Sequence, residues 1–254
     1  MNWGNRDTTT RRILILGGTT EARELAGMLA GGGYEVITSL AGRTDTPRVP
    51  TGIVRIGGFG GREGLAAYIK ANSIDMLVDA THPFAAQISV NGVAAASDAG
   101  VPLIRLERPV WEKPDGATWI EVGAAQDAAD ALPRGARVLL TVGRQELGPF
   151  LARTSCHYTA RMIEVPAGLP DDWDVIAARG PFTLGGELNL MEARGITHLV
   201  TKNSGGSQVA AKLAAAAQLS IPIIVIGRPK LPKAETVDSV VRARETIARI
   251  FRTG

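Results

Sequence analysis

The chain has 254 residues, 45% hydrophobic and 21% charged, with a net charge of +3. That composition supports a packed core rather than a disordered chain, and the length suits one large domain or two ordinary ones. The mild basicity is too diffuse to argue for nucleic acid, and no such partner is expected; the single cysteine (Cys156) excludes an intramolecular disulfide, and His82, His157 and His198 lie in separate segments with no spacing that suggests a metal site.

A polar leader, residues 1–11, is expected to be disordered; it lacks the apolar stretch of a signal peptide. No apolar run is long enough to span a bilayer, so the expected protein is soluble and cytoplasmic, with no membrane partner. Strands are predicted near 12–16, 34–40, 53–56, 75–80 and 101–106, with helices near 20–30, 62–72 and 84–99 between them. The Pro- and Gly-rich stretch 109–135 interrupts this rhythm, with a further strand at 118–122. Strands then follow near 137–142, 157–163, 174–178, 197–201 and 222–226, and helices near 144–152, 184–194, 207–218 and 234–251. Continuous apolar strands alternating with helices predict parallel sheets covered on both faces. We therefore expect an α/β protein with an N-terminal domain over 12–115 and a C-terminal domain over 116–254. A cleft between two such units is a common place for a ligand.

Ligands of open α/β sheets bind at the carboxyl ends of the strands, and Gly-rich or hydroxyl-rich loops recur there. "GGTTEAR" follows the first strand. Its spacing approaches the dinucleotide fingerprint G-x-G-x-x-G/A: Gly17 and Ala22 fit, but Thr19 replaces the second glycine. Gly17 and Gly18 permit unusual backbone angles, and Thr19 or Thr20 can cap the next helix, whose N-terminus suits a phosphate. Glu21 opposes an anion there, with Arg23 placed to offset it. The bland alternative is a well-capped strand-to-helix turn. Near the end of the second strand, Ser39 and Arg43 stand where an NAD-binding fold carries an acidic residue; together they favour the 2′-phosphate of NADP, unless Arg43 is simply solvated. "GGFGG", with Gly58 and Phe59, suits close approach to a flat or charged ligand, or is a flexible loop. "DATHPFA" places Thr81, His82, Pro83 and Phe84 at a strand end, where His82 is either a titratable site residue or structural. Arg105 and Arg108 in "RLERP" suit acidic groups, or face water. Lys202, Asn203, Ser204 and Gly205 in "TKNSGG" form a collection suited to phosphate or carboxylate.

Taken together, "ILILGGTTEAREL", "SLAGRT", "GGFGG", "DATHPFA", "RLERPVW", "TVGRQEL", "RGPFT", "TKNSGG" and "IGRP" occur in an order that resembles the precorrin-6A reductase family of cobalamin biosynthesis. The resemblance spans residues 13 to about 229. It implies two Rossmann-like domains with mainly parallel sheets and allows for a strand exchanged between them. It also implies hydride transfer from NADPH to a ring double bond of a tetrapyrrole macrocycle, giving precorrin-6B. The carboxylates of that substrate would meet arginines such as Arg105, Arg108 and Arg161. His82, Tyr158 and Lys202 are the candidate proton donors, and no metal is implied. The cofactor phosphates could lie on Gly17–Thr20 or on Lys202–Gly205. A monomer or small homo-oligomer is expected. Competing readings are a nucleotide-sugar glycosyltransferase, a methyltransferase using S-adenosylmethionine, and a non-enzymatic tetrapyrrole-binding protein; the last would leave NADPH unoxidised.

Overall fold

The computed structural model describes residues 10–42, 49–207 and 209–253. Two six-stranded sheets carry the architecture, and every strand pair in both is parallel.

The first sheet takes β1 (Arg12–Leu16), β2 (Glu35–Leu40), β3 (Ile53–Ile56), β4 (Met76–Asp79) and β5 (Leu103–Leu106), interleaved with α1 (Thr20–Gly31), α2 (Arg62–Ala71) and α3 (Ala86–Ala99). Its sixth strand is β12 (Glu235–Val237), followed by α8 (Val240–Thr253), and the spatial order is β3-β2-β1-β4-β5-β12. β1 is buried throughout. Ile13 and Ile15 join the core formed with α1 and α8, while Leu14 and Leu16 join the core formed with α2 and α3. This is the alternation of a strand covered on both faces. In α1, Ala22, Leu25, Ala26 and Leu29 are buried, a stripe at helical spacing.

The second sheet takes β6 (Trp119–Val122), β7 (Arg137–Thr141), β8 (His157–Met162), β9 (Asp174–Ala177), β10 (His198–Lys202) and β11 (Ile223–Ile226). Its helices are α4 (Ala125–Asp130), α5 (Gly148–Ala152), α6 (Leu184–Ala193) and α7 (Ala211–Gln218), and its order is β9-β8-β7-β10-β11-β6. Its largest core cluster joins Leu139, Leu199, Ile223 and Val225 to Met191 of α6 and to Leu213 and Ala216 of α7.

Both orders are the doubly wound order 3-2-1-4-5-6, with the sixth strand taken from elsewhere in the chain. β6 directly follows the first five strands, yet it pairs with β11 in the second sheet; β12, the last strand in sequence, pairs with β5 in the first. The compact units are accordingly residues 1–108 with 230–254, and residues 109–229. This differs from the sequence boundary at 115/116, which left 230–254 in the second domain. The expected helix over 234–251 hid β12, a short β-branched segment (ETV) that has a partner only once β5 is in place. The helix expected over 144–152 is instead a 3₁₀ turn at Arg144–Glu146 followed by α5, because Pro149 has no N–H to continue an α ladder.

Candidate functional site

The order of the first sheet reverses between β1 and β4, so the loops after these strands flank its switch point. Thr19 explains the altered fingerprint. Its Oγ1 accepts from Ala22 N (3.1 Å), capping α1, and donates to Ala80 O (2.8 Å) just beyond β4. The hydroxyl that replaces the second glycine thus ties the first turn to the neighbouring strand end. Gly17 is required sterically: a Cβ there would come within 2.8 Å of Thr38 Cγ2. Gly18 has φ +113° and open space where a side chain would sit. Thr20 opens α1, a twelve-residue helix whose N-terminal backbone dipole favours an anion. The charge of Glu21 is met by Arg108, at 3.1 Å. Arg23 instead reaches Thr19 O and Thr20 Oγ1.

At the end of β2, Ser39 is buried and stands in register beside Arg55 of β3. Arg55 Nη1 donates to Ser39 Oγ (3.4 Å) and to Gly57 O, and Nη2 donates to Gly58 O (2.7 Å). Its guanidinium carbon lies 3.9 Å from the centre of the Phe59 ring. No acidic residue occupies the end of β2. Arg43, expected beside Ser39, lies outside the described residues. Sequence reasoning missed Arg55; the available signal was an arginine inside the apolar strand IVRI immediately before the Gly-rich loop.

After β4, Asp79 is buried and accepts from Thr81 Oγ1 (2.7 Å) and Arg105 Nε (3.2 Å). Arg105 also donates to Pro232 O (3.1 Å), so the C-terminal return segment is held at the same strand ends. The three arginines expected to meet acidic ligand groups are each already paired with a carboxylate, Arg105 with Asp79, Arg108 with Glu21 and Arg161 with Glu187. His82 Nδ1 accepts from Phe84 N (3.2 Å), which places the neutral ring's proton on Nε2. Pro83 is buried within the turn that precedes α3. Two open depressions lie here: one borders Thr19, Glu21, Thr81 and Arg108, the other His82, Ser89 and Arg105.

The second sheet reverses between β7 and β10. In place of a long helix N-terminus, the loop after β7 presents Glu146, whose Oε1 accepts from Lys202 Nζ at 2.9 Å. Gly143 leaves them room, since a Cβ there would approach Glu146 Oε2 at 2.8 Å and Lys202 Nζ at 3.2 Å. Asn203 is buried with its amide engaged: Oδ1 accepts from Trp111 N (2.7 Å) and Nδ2 donates to Trp111 O (3.2 Å). Trp111 Nε1 donates to Gly206 O (2.8 Å), and Arg228 Nε donates to Asn203 O (2.9 Å). Asn203 thus shapes the loop, in which Gly205 and Gly206 take left-handed backbone angles.

Arg161, at the end of β8, is buried and pairs with Glu187 at 2.8 Å. Tyr158 lies near the start of β8, at the opposite edge from these loops; it packs between Phe150 and Trp173, and burial pushes its phenol well above the ordinary range. That placement removes it from the candidate proton donors. Among the described residues, no group of His, Cys, Asp and Glu is arranged to hold a metal, and no helix is long and apolar enough to cross a membrane.

The match to known proteins is extensive. Residues 12–246 fit the family described as precorrin-6x reductase CbiJ/CobK. A precorrin-6A reductase from Rhodococcus erythropolis is 48% identical over 245 residues, covering 95% of this chain and 99% of the relative. A cobalt-precorrin-6A reductase from Priestia megaterium is 33% identical over 237 residues, covering 86% and 91%. A solved structure titled CobK precorrin-6A reductase superposes with a TM-score of 0.89 at 42% identity, covering 94% of this chain and 97% of the other. The chain belongs to the precorrin-6x reductase family and is an oxidoreductase.

Proposed function

We propose that this chain reduces precorrin-6A to precorrin-6B in the cytoplasm, using NADPH. The observation that carries the cofactor reading is the first switch point: a glycine turn into a long helix, with Ser39 rather than a carboxylate at the end of β2. The open space at Gly18 and the N-terminus of α1 suit a pyrophosphate. Ser39 and Arg55, joined in sequence by Arg43, suit a 2′-phosphate that an acidic residue would repel. When bound, NADPH supplies the hydride; the protein supplies position and electrostatics.

Lys202, Ser204 and Gly205 are assigned to a carboxylate of the macrocycle. The Glu146 carboxylate beside Lys202 makes that loop a poor seat for a pyrophosphate, whereas a single carboxylate can share the ammonium. Gly58, Phe59 and the Thr81–Phe84 turn line the substrate side of the first unit, and His82, with Nδ1 held by Phe84 N, offers its Nε2–H to the macrocycle as a hydrogen-bond donor, while a water supplies the proton that completes the reduction. The metal-free macrocycle is assigned because a relative named precorrin-6A reductase is 48% identical and one named cobalt-precorrin-6A reductase is 33% identical.

The test is anaerobic: purified chain, precorrin-6A and NADPH, with NADPH absorbance and the pigment spectrum followed together. Coupled oxidation and spectral change are expected, with NADH a far weaker donor. Pigment binding without oxidation would overturn the reductase reading. Turnover confined to the cobalt macrocycle would overturn the substrate assignment.

A further inference from the structure

Beneath the Lys202–Gly206 loop lies a group of charges to which the site described so far gives no role. Lys212, in the first turn of α7, is 4% exposed, and its Nζ sits 4.8 Å from the centre of the Trp111 ring. Arg161 of β8 and Glu187 of α6 are the charged groups set against it. They pair with each other at 2.8 Å with side-chain exposures of 7% and 1%, and Arg161 also stacks on Phe182 at 3.8 Å. Neither Glu187 carboxylate oxygen accepts a well-formed hydrogen bond. A lysine is seldom buried without a carboxylate bonded directly to it; here the Arg161 guanidinium holds that carboxylate and the lysine faces an aromatic ring. Trp111 is in turn fixed to the loop, through both Asn203 amide atoms and through its indole N–H to Gly206 O.

We propose that Lys212 is a positioning residue for the Lys202–Gly206 loop: its ammonium holds the Trp111 ring by a cation–π contact, and Trp111 carries that hold to Asn203 and Gly206. Without the cation the ring loses its electrostatic anchor, and the loop loses a fixed edge. The arrangement is also sensitive to pH. Burial, reinforced by Arg161 and opposed by Glu187, pushes the lysine down from its ordinary value to about 7. The ammonium is therefore present below that pH and lost above it, so the loop is held most firmly on the acid side.

The first measurement needs no substrate. The full chain is labelled with ¹⁵N at its tryptophan indoles, and the Trp111 signal is assigned by its loss in Trp111→Phe. The proton of this signal is the one donated to Gly206, so it reports on the loop directly. Between pH 5.5 and 9 it is expected to shift along one titration with a midpoint near 7. In Lys212→Met it stays at the high-pH position throughout; in Lys212→Arg, which remains charged, it stays close to the low-pH position.

A Trp111 signal that does not move with pH, or that titrates equally in Lys212→Met, would overturn the proposal. The consequence for turnover rests on the assignment of this loop to the tetrapyrrole. Wild-type KM for the macrocycle should rise with pH through 7 by between about 3-fold and 30-fold, the range of a cation–π contact. It should stay high in Lys212→Met and be restored by Lys212→Arg. If the indole titrates but KM does not follow, the loop assignment fails and the anchor stands. If neither titrates, the anchor itself is refuted.

Discussion

The two sheets share one strand order and differ at the point where that order reverses. In the first, β1 runs through a glycine turn into a twelve-residue helix, and the turn is tied to the next strand by Thr19 and Ala80 O. In the second, β7 runs into a 3₁₀ turn and a five-residue helix, and an ion pair between Glu146 and Lys202 fills the equivalent place. A long helix offers aligned N–H dipoles to a phosphate. A carboxylate at the same position cancels that offer, and the lysine beside it suits a ligand that needs one cation. Topology therefore supplies two crevices, and the local residues make them chemically unlike. The difference teaches that one strand order, used twice, can carry two unlike sets of groups at its switch point.

The largest effect should come from erasing the feature that separates the first crevice from an NAD site. Ser39→Asp puts a carboxylate where a 2′-phosphate is assigned, and that carboxylate would also neutralise Arg55. Placing like charges together costs several kcal/mol, so kcat/KM with NADPH should fall by about 100-fold or more while that with NADH changes little. Steady-state rates with both cofactors read this directly, and Arg43→Ala should shift the ratio in the same direction. Equal loss with both cofactors would break the assignment.

A smaller effect is expected at the second crevice. Lys202→Ala should raise KM for the macrocycle by about 30-fold, the order expected when one partner of a charge pair is removed, and leave the NADPH dissociation constant unchanged. Because Lys202→Ala also strands the Glu146 carboxylate, the double variant Lys202→Ala/Glu146→Gln isolates the ligand contact. Weakened NADPH binding in the double variant would move the cofactor phosphates to the second sheet and reverse the comparison.

Much of this was legible in the sequence, because strand and loop signals are local. The apolar strands and the loops at their carboxyl ends fall where periodicity and glycine placed them, as RILIL before GGTT illustrates. What escaped was non-local. β12 is three residues long, and only β5, some 130 positions earlier, defines it as a strand. Arg105 and Arg108 resembled free cations because their carboxylates, Asp79 and Glu21, lie 26 and 87 residues away along the chain. Tyr158 drew notice by its phenol, but its place in the strand buries it at the wrong edge. Lys212 hid in an alanine-rich helix; its spacing from Ala215 and Ala216 sets it on the buried face, where a lysine is unexpected. Glu187 and Trp111, which give that position meaning, come from other elements.

The smallest expected effect tests whether Thr19 is a scaffold residue or a ligand residue. Thr19→Ala removes the cap of α1, worth about 1–2 kcal/mol, and the bond to Ala80 O, worth about 1 kcal/mol. At this chain length that should lower the melting temperature by roughly 4–12 °C. Thr141→Ala is the counterpart in the second sheet, where the hydroxyl makes a single bond to Val200 O; its loss should cost about 1 kcal/mol. Thr19→Ser keeps the oxygen that makes both bonds and should restore most of the stability. Thermal melts in the absence and presence of NADPH then separate the two roles. If Thr19 only shapes the turn, NADPH should raise the melting temperature of Thr19→Ser about as much as that of wild type, and that of Thr19→Ala less, because its glycine turn is no longer held. If Thr19→Ala melts like wild type but no longer responds to NADPH, the hydroxyl acts on the ligand rather than on Ala80, and the first crevice owes its character to direct contact instead of to the strand it is tied to.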